Sequence, residues 1–266
     1  MSGYEHLIVG DENGVVTATL NRPQARNALN AKLMAELTSF ARDYRTKPHV
    51  RAIILRGGDK NFSAGADLTS SVEDRKAAAP SLLELREAVL AGPDMCKAWE
   101  EIEAVTIVAI EGYCVGGACA LAAACDFRIL GDGASLRLPE VPLGINMSWR
   151  SVPRLVSLMG PARAKRFLMF GEMTDARTCL DWGLADEVVS SGEAYATAKA
   201  WAAKIAALPP LPVRMTKEAV NATAGANHFA SSFMDRDQFL LTFQSKDFAE
   251  GVKAFFEKRD AVFKGE

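Results

Sequence analysis

The chain has 266 residues, 49% hydrophobic and 24% charged, enough to bury the core of one or two domains. Lys plus Arg number 31 and Asp plus Glu 33, and the net charge of −2 offers no broad electrostatic surface for nucleic acid or an acidic membrane. No apolar run reaches the roughly 18 residues of a membrane span. The stretch from Met1 to Val9 lacks a basic segment leading into an apolar one, so no secretory signal is expected. Cys96, Cys114, Cys119, Cys125 and Cys179 form no metal-binding spacing and read as reduced core thiols, which places the protein in the cytoplasm. His6, His49 and His228 are scattered, so neither a metal site nor a His-based triad is expected.

In chain order, Tyr4 to Val9 and Val15 to Leu20 read as strands around a turn from Gly10 to Gly14. Asn30 opens a helix whose apolar face carries Leu33, Met34, Leu37, Phe40, Ala41 and Tyr44. Arg51 to Leu55 is a strand ended by Gly57-Gly58. The segment from Leu68 to Glu103 begins polar, turns helical, and reads as a lid or an insertion. Val105 to Ile110 is a strand, Ala118 to Ala124 a buried Ala-rich helix, and Phe127 to Leu130 a strand again. Strands alternating with helices predict an α/β fold with parallel pairing. From Ser148 onward the pattern is almost all helical. Ser190 and Glu193 have capping-box spacing for a helix through Leu208, which Pro209, Pro210 and Pro212 end. Further helices are predicted over Val213 to Ala222, Phe229 to Gln244 and Phe248 to Arg259. A boundary near Ser190 divides residues 1–190, an α/β core with the site, from a helical region, 191–266.

Four segments have the residue types for chemistry. Phe62-Ser63-Ala64-Gly65-Ala66-Asp67-Leu68 follows a strand, and its small residues would let a ligand approach the backbone, with the Ala66 N–H able to point into a cleft. An ordinary strand-to-helix turn capped by Asp67 fits the same residues. Glu111 to Ala118 feeds a strand through Gly116 and Gly117 into a helix, where unpaired N–H groups meet the positive end of the dipole. Close helix–strand packing explains those glycines equally well. Together, two such turns can aim backbone donors at one developing oxyanion. Glu140 stands between apolar residues and two prolines; desolvated, its carboxyl would become a useful acid/base, and solvated, an ordinary surface Glu. Asn21 to Leu29 places Arg22 and Arg26 just before a helix, a setting for phosphate or a plain surface loop.

In order and spacing, LNRPQARNAL, FSAGADL, AIEGYCVGGACALAAACDFRI, LPEVPLG and EGVKAFFEKRDAVFKGE resemble the crotonase family of enoyl-CoA hydratases and isomerases. The resemblance covers nearly the whole chain and is weakest over Thr69 to Trp99, where the lid would set the acyl specificity. It implies a crotonase-like α/β spiral of ββα units with a helical C-terminal part. It also implies an acyl-CoA substrate, with CoA arriving as part of it and no separate cofactor, and a homotrimer or dimer of trimers whose helical region makes oligomer contacts and covers CoA. By motif position, the N–H groups of Ala66 and Gly117 are the oxyanion donors and Glu140 the acid/base. Ala25 and Arg26 fall in the CoA loop, and Ala64 and Asp67 lie beside the thioester. Phe239 and Lys258 match positions that reach CoA, often on a neighbouring subunit.

The chain departs from the hydratase pattern at two places. The first of the two hydratase glutamates is replaced by Ala120, which cannot carry a proton. One carboxylate suffices to shift a double bond, so isomerisation is favoured over hydration; a non-catalytic acyl-CoA binder or structural subunit is a further reading. The usual glycine-rich turn after Glu140 is replaced by Ile145 to Ser151, including Asn146, Trp149 and Arg150. Asn146 or Arg150 would position a water or a polar acyl group there, or Ser148 would cap a helix. The bulk of Met147 and Trp149 would reshape the acyl pocket.

Overall fold

A computed structural model describes residues 3–67 and 81–266. Strands β1 (Leu7–Glu12) and β2 (Val15–Leu20) form an antiparallel hairpin. The turn is shorter than predicted: only Asn13 and Gly14, both at positive φ, separate Glu12 from its partner Val15. Asn-Gly suits this two-residue turn, and it moves the first strand three residues along the chain.

Asn30 caps α1 (Ala31–Asp43), its side chain accepting the Leu33 N–H at 2.9 Å. β3 (Ala52–Arg56) follows, then, beyond the expected lid's residues 68–80, which lie outside the described residues, α2 (Leu82–Ala88) and α3 (Ala91–Glu100). Trp99 of α3 stacks on Phe40 and donates its indole N–H to the Leu37 carbonyl at 3.1 Å, locking α3 onto α1. Next come β4 (Val105–Ile110), β5 (Tyr113–Val115), α4 (Gly117–Ala123), β6 (Phe127–Gly131) and β7 (Ser135–Arg137). Every residue of β4 and of α4 is buried. Small alanines let this helix sit in the protein interior without voids.

The remaining elements are α5 (Ser151–Met159), α6 (Pro161–Phe170), β8 (Thr174–Asp175), α7 (Ala176–Trp182), β9 (Glu187–Val189) and α8 (Ala194–Ala206). They end with α9 (Pro210–Ala224), α10 (His228–Ser232), α11 (Asp235–Phe243) and α12 (Lys246–Glu257). The main sheet runs β1-β2-β3-β4-β6-β9, parallel after the first pair, and a second sheet runs β5-β7-β8. This is the mixed, mostly parallel α/β architecture expected.

Three helical expectations are corrected. No capping box forms at Ser190 and Glu193; Glu193 is the N-cap without a side-chain bond, and its N–H goes to the Ser190 carbonyl. The prolines do not delay the next helix: α9 starts at Pro210, because first-turn residues need no N–H partner. The single helix expected over Phe229 to Gln244 is two, α10 and α11. The Ser232 hydroxyl donates to the His228 carbonyl at 2.6 Å, a side-chain bond that competes with helix continuation.

Helix α8 lies directly on the main sheet. Ala194, Ala198 and Ala202 are fully buried against Ile54, Ile107 and Ile129. The start of the helical third is thus part of the sheet's own packing. Among the described residues no helix is long and apolar enough to cross a membrane.

Candidate active site

The turn after β3 is stitched to two neighbours. On one side the Phe62 N–H donates to the Glu111 carbonyl, Ser63 N–H to Tyr113 and Val115 N–H to Ser63, at 2.8, 3.1 and 3.1 Å. Gly65 has φ +86°, and a Cβ on it would lie 2.4 Å from the Val115 carbonyl oxygen, so only glycine lets the two turns close. On the other side, Ala64 N–H donates to Arg26, Leu29 N–H to Gly65 and Asp67 N–H to Leu29, at 3.0, 2.7 and 3.1 Å. Asn27, buried at left-handed φ, donates to the Phe62 carbonyl at 3.1 Å, and Ser63 Oγ returns a bond to the Asn27 carbonyl at 2.7 Å.

Neither Ala66 N–H nor Gly117 N–H meets an acceptor among the described residues. Both residues line one cavity of about 370 Å³. Gly117 is the first residue of α4, so its N–H is one of the helix's unpaired donors at the positive dipole end. Gly116 makes the bend, at φ +56°, while its own N–H is bound to the Arg137 carbonyl at 2.8 Å.

Glu140 enters the same cavity from the loop after β7. The Leu143 and Ile145 N–H groups both bond the Glu140 carbonyl at 3.0 Å, and Pro139 and Pro142 flank it, so the backbone there is stiff. Its Oε2 is buried with no hydrogen-bond partner among the described residues. Burial pushes the carboxyl up to about 7, against smaller lowering effects from its own backbone N–H and from Arg137. A buried carboxylate titrating near neutrality beside two unpaired backbone donors can exchange a proton with a carbon acid whose charge those donors hold.

The structure brings Ala66, Asp67, Gly117, Glu140 and Phe239 to this cavity and leaves the other expected site residues around or outside it. Asp67 does not act only as a turn residue: Arg22 turns inward to it at 3.2 Å and also donates to the Ala28 carbonyl. Arg22 is therefore spent on holding the loop. Arg26 is exposed at φ +51°, with no ion pair among the described residues, beside the half-buried Ala25. Ala64 is half-buried at the edge of the turn. Lys258, the left-handed C-cap of α12, is exposed and does not line the cavity. Phe239, Phe243 and Phe248 stack in series, with centroid separations of 5.4 and 4.8 Å, and roof the cavity with an aromatic layer; the last two were not anticipated.

The segment after Glu140 differs from its expectations. Asn146 points away, donating its side-chain N–H to Gln238 at 3.1 Å and its backbone N–H to Thr242 Oγ1 at 2.9 Å. Ser148 is not the N-cap of α5; Arg150 is, at left-handed φ, and its N–H goes to the Asp235 carboxylate at 3.0 Å. Neither Asn146 nor Arg150 lines the cavity. Ala120 is fully buried and does not line it either.

A larger cavity of about 720 Å³ opens between α5, α8 and α9 and shares no lining residue with the first. Ser157 Oγ lies 3.1 Å from His228 Nε2 there, but Glu100 is gripped by Arg154 at 3.0 and 2.8 Å and stands 4.0 Å from His228 Nδ1. That separation is no hydrogen bond, so no catalytic triad is formed. Among the described residues no group of three or more His, Cys, Asp or Glu could hold a metal ion.

Residues 10–266 match the family model described as Enoyl-CoA hydratase/isomerase. The chain is 35% identical over 263 residues to a protein of Mycobacterium tuberculosis named a probable enoyl-CoA hydratase, covering 98% of each. It is 34% identical over 261 residues to the crotonyl-CoA hydratase of Syntrophomonas wolfei, again covering 98% of each. Among solved structures, an enoyl-CoA hydratase/isomerase of Pseudoalteromonas atlantica is similar with a TM-score of 0.85 and 28% identity, over 98% of this chain and 100% of that one.

Proposed function

The chain belongs to the enoyl-CoA hydratase/isomerase family, whose enzymes act on acyl-CoA, and from that premise we propose that it shifts the double bond of an enoyl-CoA with Glu140 as its one acid/base. The thioester carbonyl oxygen accepts from the N–H groups of Ala66 and Gly117. These donors strengthen as the oxygen gains charge, which lowers the cost of removing a proton beside the carbonyl. Glu140 takes that proton from C2 of a 3-enoyl thioester, leaving a dienolate. The protonated carboxyl then returns it at C4, the double bond comes to rest between C2 and C3, and the carbonyl reforms. No atom is gained or lost. The chemistry calls for no cofactor, since CoA arrives with the substrate.

The observation that carries this reading is the buried, unpaired Glu140 Oε2 in the cavity that both unpaired N–H groups line. Two features favour isomerisation over hydration. Ala120 offers no second proton carrier, and Asp67, the other carboxylate lining the cavity among the described residues, is engaged by Arg22. The names of the relatives favour hydration instead, which would need a group to hold the attacking water; Asn146 is turned outward to Gln238.

Arg26 and Lys258, both exposed cations, suit the CoA phosphates, with Ala25 and Ala64 framing the approach and Phe239 covering the thioester end. Exposed Leu211, Met215, Phe229 and Phe233 in the helical third support self-association, for which a trimer or dimer of trimers is our reading. The five buried free thiols suit a reducing cytoplasm.

The test is a panel of 2-enoyl- and 3-enoyl-CoA thioesters read by conjugated-enoyl absorbance and by mass. An absorbance change without added mass, lost in Glu140→Gln, supports isomerisation. A gain of one water refutes it in favour of hydration.

A further inference from the structure

Trp149 occupies an unusual position. Its φ is +63° and that of Arg150 is +54°, two consecutive bulky residues in the left-handed region. Such a conformation is strained for a bulky residue and persists only where the surroundings enforce it. Here they do. Ser148 Oγ accepts the Trp149 N–H at 2.6 Å, and Asp235 accepts the Arg150 N–H at 3.0 Å. Arg154 donates to the carbonyls of Trp149 and Arg150, both at 3.1 Å, and is itself fixed by Glu100.

The indole that this turn delivers lies between two glycines. A Cβ on Gly92 of α3 would fall 2.0 Å from its Cε2, and a Cβ on Gly117 of α4 would fall 2.2 Å from its Cζ3. Neither glycine has a positive φ, so neither is needed for the backbone; both make room for the ring. Gly117, whose N–H meets no acceptor among the described residues, lines the cavity together with Trp149 and Glu140. A thioester held at Gly117 therefore meets the indole within the first carbons of its acyl group.

We propose that Trp149 is the acyl-length determinant of this enzyme: its indole, wedged between Gly92 and Gly117, is the wall that stops an acyl chain from running past the oxyanion turn between α3 and α4. The substrate class is then short acyl thioesters. This rests on the acyl-CoA reading of the same cavity.

The test uses saturated acyl-CoA esters of four, six, eight, ten and twelve carbons, which bind without double-bond chemistry, and calorimetric affinity for wild type, Trp149→Gly and Trp149→Phe. Glycine suits the left-handed backbone at this position, and phenylalanine keeps an apolar ring of smaller size; circular dichroism and thermal melting confirm that each variant is folded. Wild-type affinity is expected to stop improving beyond the shorter esters. In Trp149→Gly each added methylene that enters the vacated space should tighten binding about fourfold, with Trp149→Phe between the two. Parallel ladders in wild type and in whichever variant folds overturn this inference alone. A folded wild type that binds none of the esters overturns the acyl-CoA reading and this inference with it.

Discussion

Glu140 Oε1 lies 3.1 Å from the point a Cβ would take on Gly116. The carboxylate proposed to carry the proton is thus packed against the bend that leads into Gly117, and the two halves of the proposed chemistry share one contact. Burial of the carboxyl is the main cause of its raised pKa, and this contact is part of that burial.

Activity should follow that titration. With Glu140 acting first as a base, kcat/KM for a 3-enoyl-CoA should climb with pH, level off above about 7, and show one ionisation on that limb. In Glu140→Gln the rate should fall by about 10²–10⁴-fold with the pH limb gone. Stopped-flow absorbance from pH 5 to 9 measures both.

Stability should move the opposite way. Unfolded, the carboxyl has its ordinary value of 4.5; folded, it rises to about 7. Between these values the folded state keeps a proton that the unfolded state has lost, so the contribution is full below about 4.5 and is lost as pH rises through about 7. Glu140→Gln should remove this slope and be more stable than wild type at pH 8, by at most on the order of 3 kcal/mol. Urea denaturation at pH 5 and pH 8 reads the difference.

Gly65→Ala should destabilise the protein by about 3 kcal/mol or more, since the added methyl meets both a positive φ and the Val115 carbonyl. Denaturant midpoints measure it. Ala64→Gly, one residue away and without such a contact, should cost well under half as much.

Much of this was legible in the chain. The strands β2, β3, β4 and β6, the Asn30 cap and the buried Ala-rich helix follow from local pattern, and the turns bearing Ala66 and Gly117 from their small residues; the short strands β5, β7, β8 and β9 did not, the last two lying where the pattern reads as helix. What was not legible depends on distant partners. Arg22 reads as a phosphate ligand until Asp67, 45 residues on, is seen to claim it. Ser148 reads as a cap until Asp235 is found holding the Arg150 N–H and turning the chain left-handed. Gly92 carries no signal at all in sequence, because its reason is the Trp149 ring from another segment. The Asn13-Gly14 turn is the exception: its signal was local, and the broader run of turn-forming residues from Gly10 obscured it.

Arg26→Glu should raise KM for an acyl-CoA about tenfold or more, as loss of a charge-assisted phosphate contact implies. The same acyl group on pantetheine, which lacks the nucleotide phosphates, should show no such change. Equal effects on both thioesters would remove Arg26 from the CoA contact.

In the proposed reaction Glu140 alone carries a proton to and from carbon beside a thioester held by Ala66 and Gly117. Its most direct test is exchange in heavy water, followed by mass spectrometry, with a 3-enoyl-CoA as substrate. Deuterium is expected at C2 and C4 with wild type, and a rate reduced to near background with folded Glu140→Gln. Undiminished exchange in that variant would contradict it.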